Sequence, residues 1–249
     1  MTYSIVARDP ATGELGVAVA SRFFAVGALV PHIRGGRCAV ATQAFVNPLW
    51  GIEAADRMAA GEGATDVLAD LVARDGGQAQ RQAHMIDTAG ASAAHTGADC
   101  IGWCGHLIGD GVSVAGNMLA GQRVIAETLA AYQRHPDRPF VDRLLTAMEA
   151  GEAAGGDKRG KQSAALCLHR TEDYPWLDIR ADDHPDPLAE LRRLHDVAQE
   201  RFLHVAEAMP TRDNFSGLTD RTPLDSAIAE EEARRQNAGQ KSRSFATPL

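Results

Sequence analysis

The sequence predicts a mixed α/β (α+β) chain in which two mainly antiparallel sheets stack face to face, with paired helices outside them, a four-layer αββα sandwich. Three observations carry this expectation. Short apolar runs follow one another through tight turns, as antiparallel strands do. Helical periodicity comes in pairs, over residues 50–74 and again over residues 121–151. Leu15–Ala20 sets Leu15, Val17 and Val19 against Gly16, Ala18 and Ala20, so both faces are apolar and both need cover.

The elements follow in order. Tyr3–Arg8 and Leu15–Ala20 read as strands around the turn Asp9-Pro10-Ala11-Thr12-Gly13. Further strands are expected at Leu29–Arg34 and Arg37–Ala44, and the four together read as one meander. From Trp50 to Arg74, Ile52, Ala55, Met58, Val67, Leu68 and Leu71 fall at three- and four-residue spacings. Gly61 and Gly63 split that stretch into two helices. Strands return at Arg81–Asp87, Ala91–His95 and Gly111–Gly116. Two helices follow, from Gly121 and from Phe140, separated by Pro136 and Pro139. Gln162–His169 and Trp176–Arg180 close the strand series. Asp186 then reads as the cap of a last helix, with Pro187 at its first position and an apolar face running on to Phe202 and Val205. A doubly wound parallel sheet fits less well, because it needs a helix after nearly every strand. One domain is expected over residues 1–209. The polar stretch 210–249 reads as an extension held by a neighbouring subunit, which gives a homo-oligomer, a dimer in the simplest case.

Composition narrows the partners. The chain has 249 residues, 45% hydrophobic and 23% charged, with a formal net charge of −8. That balance suits a globular fold and disfavours nucleic acid, whose phosphates need a concentrated positive field. No apolar run approaches the roughly 20 residues of a membrane span. The opening MTYSIVARDP has no apolar core behind a basic start, so a cytoplasmic chain is expected, with Cys38, Cys100, Cys104 and Cys167 reduced. No metal or other cofactor is expected: His84, Asp87, His95, Asp99, His106 and Asp110 recur without a ligand template.

Several segments resemble the bacterial family called domain of unknown function 1028. They are Thr2–Ala7, Gly16–Ser21, Ala41–Ala44, Gly116–Leu119, Gly155–Leu166 and Asp182–Pro187, spread over residues 2–195. The resemblance implies membership of the N-terminal-nucleophile (Ntn) hydrolase superfamily and its four-layer αββα sandwich. Such enzymes attack an amide with a Thr, Ser or Cys at the mature N-terminus, whose own α-amine serves as base. On this sequence that places the nucleophile at Thr2 after removal of Met1, with Ser4 as the second candidate.

Other residues take roles around it. By similarity of position, Arg22 follows the second strand and Arg34 ends the third. The Asp and Lys of the proteasome-type pattern are missing. Either arginine can hold a substrate carboxylate. Thr42, Gln43, Asn47 and Asn117 stand at strand ends, where side chains of this kind can contact substrate; Asn117 is the catalytic candidate, as a donor to an oxyanion. Asp157, Lys158, Arg159, Lys161 and Gln162 form a glycine-flanked basic loop suited to an anionic group, although the Walker spacing is absent. His184, between Asp183 and Pro185, is a further substrate contact or a rigid turn.

Two functional classes are compatible with these residues. One is an Ntn-type amidohydrolase acting on a small anionic amide or amino-acid derivative. The other is a ligand-binding or assembly protein that retains the fold without the reaction. Catalysis by internal residues such as Asp157, Arg159 and His184 is a third route.

Overall fold

The computed structural model describes residues 2–246. Among them, ten strands form two sheets, and every pairing is antiparallel. The strands are β1 (Thr2–Arg8), β2 (Leu15–Ser21), β3 (Pro31–Arg34), β4 (Cys38–Ala44), β5 (Arg81–Asp87), β6 (Ser92–Thr96), β7 (Trp103–Gly109), β8 (Val112–Leu119), β9 (Ser163–His169) and β10 (Leu177–Ala181). The six-stranded sheet runs β10-β9-β2-β1-β8-β7, and the four-stranded sheet runs β3-β4-β5-β6. The helices are α1 (Pro48–Ala59), α2 (Ala64–Arg74), α3 (Arg123–Arg134), α4 (Phe140–Ala153), α5 (Pro187–Glu200), α6 (Phe202–Glu207) and α7 (Thr222–Asn237).

The period-two alternation of each strand decides which core a side chain enters. Tyr3, Ile5 and Ala7 of β1, with Ala18 and Ala20 of β2, join a core with Val124, Ile125, Leu144, Leu145, Met148 and Leu191 of α3, α4 and α5. Val6, Val17 and Val19 point the other way, into a core with Ala39, Ala41 and Ile86 of the second sheet. That second sheet turns Cys38, Val40, Ala83 and Met85 toward Trp50, Met58, Val67 and Leu71 of α1 and α2. The strand predicted to be covered on both sides is covered on both. Gly16 shows how closely: a Cβ there would lie 2.7 Å from Leu144 Cδ1 of α4.

Four sequence expectations change. The first four strands are not one meander, because residues 22–30 carry the chain from the first sheet to the second. A strand unread in the sequence, β7, forms an edge of the larger sheet. The last apolar helix face is broken at Arg201, where φ is −148°. Phe202 and Val205 beyond the break stay 45% and 43% exposed. Asp186 occupies the position before α5 without a side-chain cap bond; its carboxylate instead takes Lys161 Nζ at 3.4 Å.

The C-terminal segment folds back on α5 of its own chain. Arg243 pairs with Asp196 at 2.7 Å, Arg235 donates to the Asp196 carbonyl at 3.1 Å, and Phe245 lies under the Arg193 guanidinium. These contacts supply an order within one chain that the sequence reading assigned to a neighbour. Among the described residues, no helix is long and apolar enough to cross a membrane.

Candidate active site

In an antiparallel arrangement the starts of odd strands and the ends of even ones share one end of the sheets. Here the start of β1, the ends of β2, β4 and β8 and the start of β5 meet there. Thr2 pairs with Ser21 on one side and with Asn117 on the other. All three belong to the strand positions that face the second sheet, and all are buried. The Thr2 hydroxyl lies 3.2 Å from the Ser21 hydroxyl. Met1, whose removal the sequence reading requires, falls outside the described residues.

Below Thr2 the two sheets enclose a polar network. Ser4 donates its hydroxyl proton to Gln43 Oε1 at 2.7 Å, so its contact with His84 Nε2 at 2.8 Å is one it accepts. The His84 proton is therefore on Nε2, and Nδ1 accepts from the Ser113 hydroxyl at 3.0 Å. Burial, with a smaller contribution from His106, pushes the His84 pKa down to about 3. Gln82 ties this network to the end of β8. Its Oε1 accepts from Gln43 Nε2 at 2.9 Å and from Asn117 Nδ2 at 3.0 Å. Its Nε2 faces Thr96 Oγ1 at 2.9 Å and the Gly116 carbonyl at 2.9 Å. Ser4 is thus a buried member of a satisfied network, with a neutral imidazole that cannot readily take a proton.

Above Thr2 the 155–162 loop closes the end of the sheet. Leu119 bridges to Asp157, and the Gln162 N–H donates to the Ser21 carbonyl at 3.1 Å. Asp157 is buried, accepts the Arg22 N–H at 2.9 Å and pairs with Arg159 Nη2 at 3.2 Å. Arg159 Nη2 also donates to the Arg22 carbonyl at 3.0 Å. His184 reaches this loop through its N–H to the Gln162 carbonyl at 2.8 Å, while its Nδ1 accepts from the Asp186 N–H. A cleft of about 190 Å³ opens beside these residues, walled by Ala44, Phe45, Asp99, Ile101, Asn117 and Arg159. Ala44 and Met118 at this cleft hold left-handed backbone, with φ of 71° and 51°. Such strain in non-glycine residues costs of order 1 kcal/mol or more each and concentrates at functional sites.

The structure therefore brings Thr2, Asn117, Arg22, Gln43, Asp157, Arg159 and Gln162 to one end, with Ser4 one step deeper and His184 behind the loop. Two expected neighbours are absent from it. Arg34 ends a strand that runs down from the cleft, and its partner Cys38 begins the strand that runs back up. It lies at the opposite end, paired with Asp56 at 2.6 Å. Thr42 is two positions from Val40 and shares its face toward α1, where its hydroxyl meets the Asn47 carbonyl at 3.3 Å. Asn47 itself caps α1, accepting the Leu49 N–H at 3.1 Å.

Gln82, Ser113, Thr96 and the role of His84 were missed in the sequence. A strand with polar Gln82 and His84 alternating with apolar Ala83 and Met85 reads as solvent-facing on its polar side. Here that side is the seam between two sheets. Among the described residues, no three His, Cys, Asp or Glu side chains converge as metal ligands.

The sequence matches the profile of the family of unknown function DUF1028 over residues 2–191. The chain belongs to the DUF1028 family. A DUF1028 crystal structure, a protein of Silicibacter pomeroyi, is 30% identical, with a TM-score of 0.81 over 88% of this chain and 96% of that one. Anbu, the ancestral beta-subunit from Yersinia bercovieri, is similar at 11% identity and a TM-score of 0.39, over 84% of this chain and 98% of that one. No curated protein matches this DUF1028 sequence.

Proposed function

We propose that this chain is an Ntn-type amidohydrolase of αββα layering, cytoplasmic, acting on a small amide or amino-acid derivative that carries negative charge. The position of Thr2 carries the reading. It begins a central strand, faces the seam between the sheets, and lies between Ser21 and Asn117, the latter a residue of the cleft wall. Removal of Met1 would free an α-amine whose ordinary pKa of about 7.7–8 suits a base at neutral pH. That amine would take the Thr2 hydroxyl proton as the oxygen attacks the acyl carbon, and would return it to the leaving amine. Water would then hydrolyse the Thr2 ester. Asn117 spends one N–H on Gln82 and keeps the second for the developing oxyanion.

The test uses a β-lactone, which acylates an activated hydroxyl by ring opening and adds its whole mass. Protein purified from its native host should lack Met1 and gain one lactone at Thr2; Thr2→Ala should gain none. Retention of Met1 in the native host, or an unlabelled free Thr2, would overturn the proposal. The non-catalytic alternative draws support from the ion pair of Asp157 with Arg159 and their bonds to the Arg22 backbone, which occupy these side chains without a substrate.

Self-association through the C-terminal extension is a second, separable proposal. α7 has no buried residue among those described and runs apolar Leu224 and Ile228 along a half-exposed face, which a second copy would cover. Light scattering at micromolar concentration should give twice the chain mass, and a chain ending at residue 209 should give the monomer mass. A full-length monomer would rule the contact out.

A further inference from the structure

The cleft beside Asn117, the strand partner of Thr2, combines three unlike features. Asp99 contributes a carboxylate that has neither a hydrogen bond nor an ion pair among the described residues. Its backbone is fixed, the N–H donating to the Ala79 carbonyl at 2.7 Å, which anchors this exposed residue at the cleft wall. Arg159 contributes a guanidinium that is only partly used. Its Nε and Nη2 serve Asp157 and the Arg22 carbonyl, which leaves Nη1 uncommitted among the described residues. Lys158 adds a second cation close to Met118 of the cleft wall, its Nζ 3.2 Å from where a side chain on the adjacent Gly102 would begin. Phe45 and Ile101 line the same cleft, apolar and 69% and 65% exposed.

A purely anionic ligand would meet Asp99, and a purely cationic one would meet Arg159 and Lys158. A ligand bearing both charges satisfies both walls. At about 190 Å³ the cleft is small beside the roughly 300–1,000 Å³ of drug-sized sites, which suits a ligand of one or two residues. Granting Thr2 as the nucleophile, the geometry points to a zwitterionic dipeptide as the substrate class: free ammonium toward Asp99, free carboxylate toward Arg159 and Lys158, and an apolar side chain against Phe45 and Ile101. This sharpens the anionic amide proposed above, since net negative charge is then no requirement and a free amino group is. The scissile amide lies between the two charged ends, which gives the site a way to measure the distance from one terminus to the other.

Binding can be separated from turnover in Thr2→Ala. Isothermal titration at pH 7 would compare alanyl-leucine, its N-acetyl derivative and alanyl-leucinamide. The free dipeptide should bind at least tenfold more tightly than either blocked form. Asp99→Asn should erase the preference over the acetylated form, and Lys158→Gln should narrow the preference over the amide. Should either variant fail to fold, the three probes on Thr2→Ala decide the matter alone. Equal binding of the free and acetylated dipeptides, or no binding of any probe, overturns the zwitterion assignment. The lactone experiment is independent of it: labelling at Thr2 without zwitterion preference removes only the substrate class, and preference without labelling removes only the Ntn reaction.

Discussion

Between pH 6.5 and pH 4 the protein should lose stability by up to about 1.4 kcal/mol per pH unit through His84 alone. In the unfolded chain this imidazole takes a proton below its ordinary value of 6.5, while in the folded chain it resists until about pH 3. The unfolded state therefore binds more protons throughout that window, and stability falls as pH falls. Above pH 6.5 both states are neutral and the effect vanishes. Over that window the cost would be at most about 3.5 kcal/mol, a large share of ordinary domain stability. His32, His106, His169 and His195 are also pushed down, each chiefly by burial, and add in the same direction. A substitution isolates the one that matters. Urea unfolding at pH 7, 6, 5 and 4 should show the unsubstituted protein falling more steeply than His84→Gln, by about one proton's worth. Parallel curves would mean that His84 is not the protonation site.

Gln82→Met should be the most damaging conservative change in the seam. Methionine nearly matches glutamine in length, so little volume is lost, but every hydrogen bond of the amide goes. Asn117 Nδ2 and Gln43 Nε2 lose their shared acceptor, and the Gly116 carbonyl loses a donor, all in buried surroundings. Each stranded group costs roughly 1–3 kcal/mol, so a total of at least about 3 kcal/mol is expected. The catalytic consequence is separate. If Asn117 donates to the oxyanion as proposed, its freed amide can rotate away, and kcat should drop well over tenfold with KM little changed. Chemical unfolding measures the first effect, and turnover of a dipeptide at 20 °C, on the surviving folded protein, measures the second. A loss below about 1 kcal/mol would show that the network rearranges around the change.

How far the sequence disclosed this depends on the kind of signal. Leu15–Ala20 announced burial on both faces because an apolar residue means the same thing on either side of a strand. Gly61 and Gly63 marked the break between α1 and α2 because backbone freedom is a local property. Thr2 and Asn117 were both identified, each as a strand-end residue. Their juxtaposition is non-local, set by the pairing of β1 with β8 over more than a hundred residues. Arg34 was misplaced because strand direction was ignored: successive ends of an antiparallel chain alternate between poles. Thr42 and Gln43 are neighbours in sequence and opposites in space, so a motif that includes both straddles two environments. Gln82 and His84 were illegible as core residues because polarity alone cannot distinguish water from a polar seam. β7 was passed over because Trp103–Gly109 holds two glycines and alternates only weakly.

The placement of β1 in the middle of its sheet has a consequence for the order of events during synthesis. β1 can zip to β2 as soon as residue 21 has emerged, but its other flank waits for residues 112–119, and β2 waits for residues 163–169. At roughly 5–20 residues per second the ribosome takes on the order of ten seconds to deliver β8. For that interval the hairpin's start has no partner beyond β2, and the chain's first residues remain open to the aminopeptidase that trims initiator methionine. Once β8 docks, Thr2 lies between two strands. The topology thus sets an order: Thr2 gains its second strand partner only after the whole of β8 has been made, and the proposed trimming of Met1 has that interval in which to act on the nascent chain.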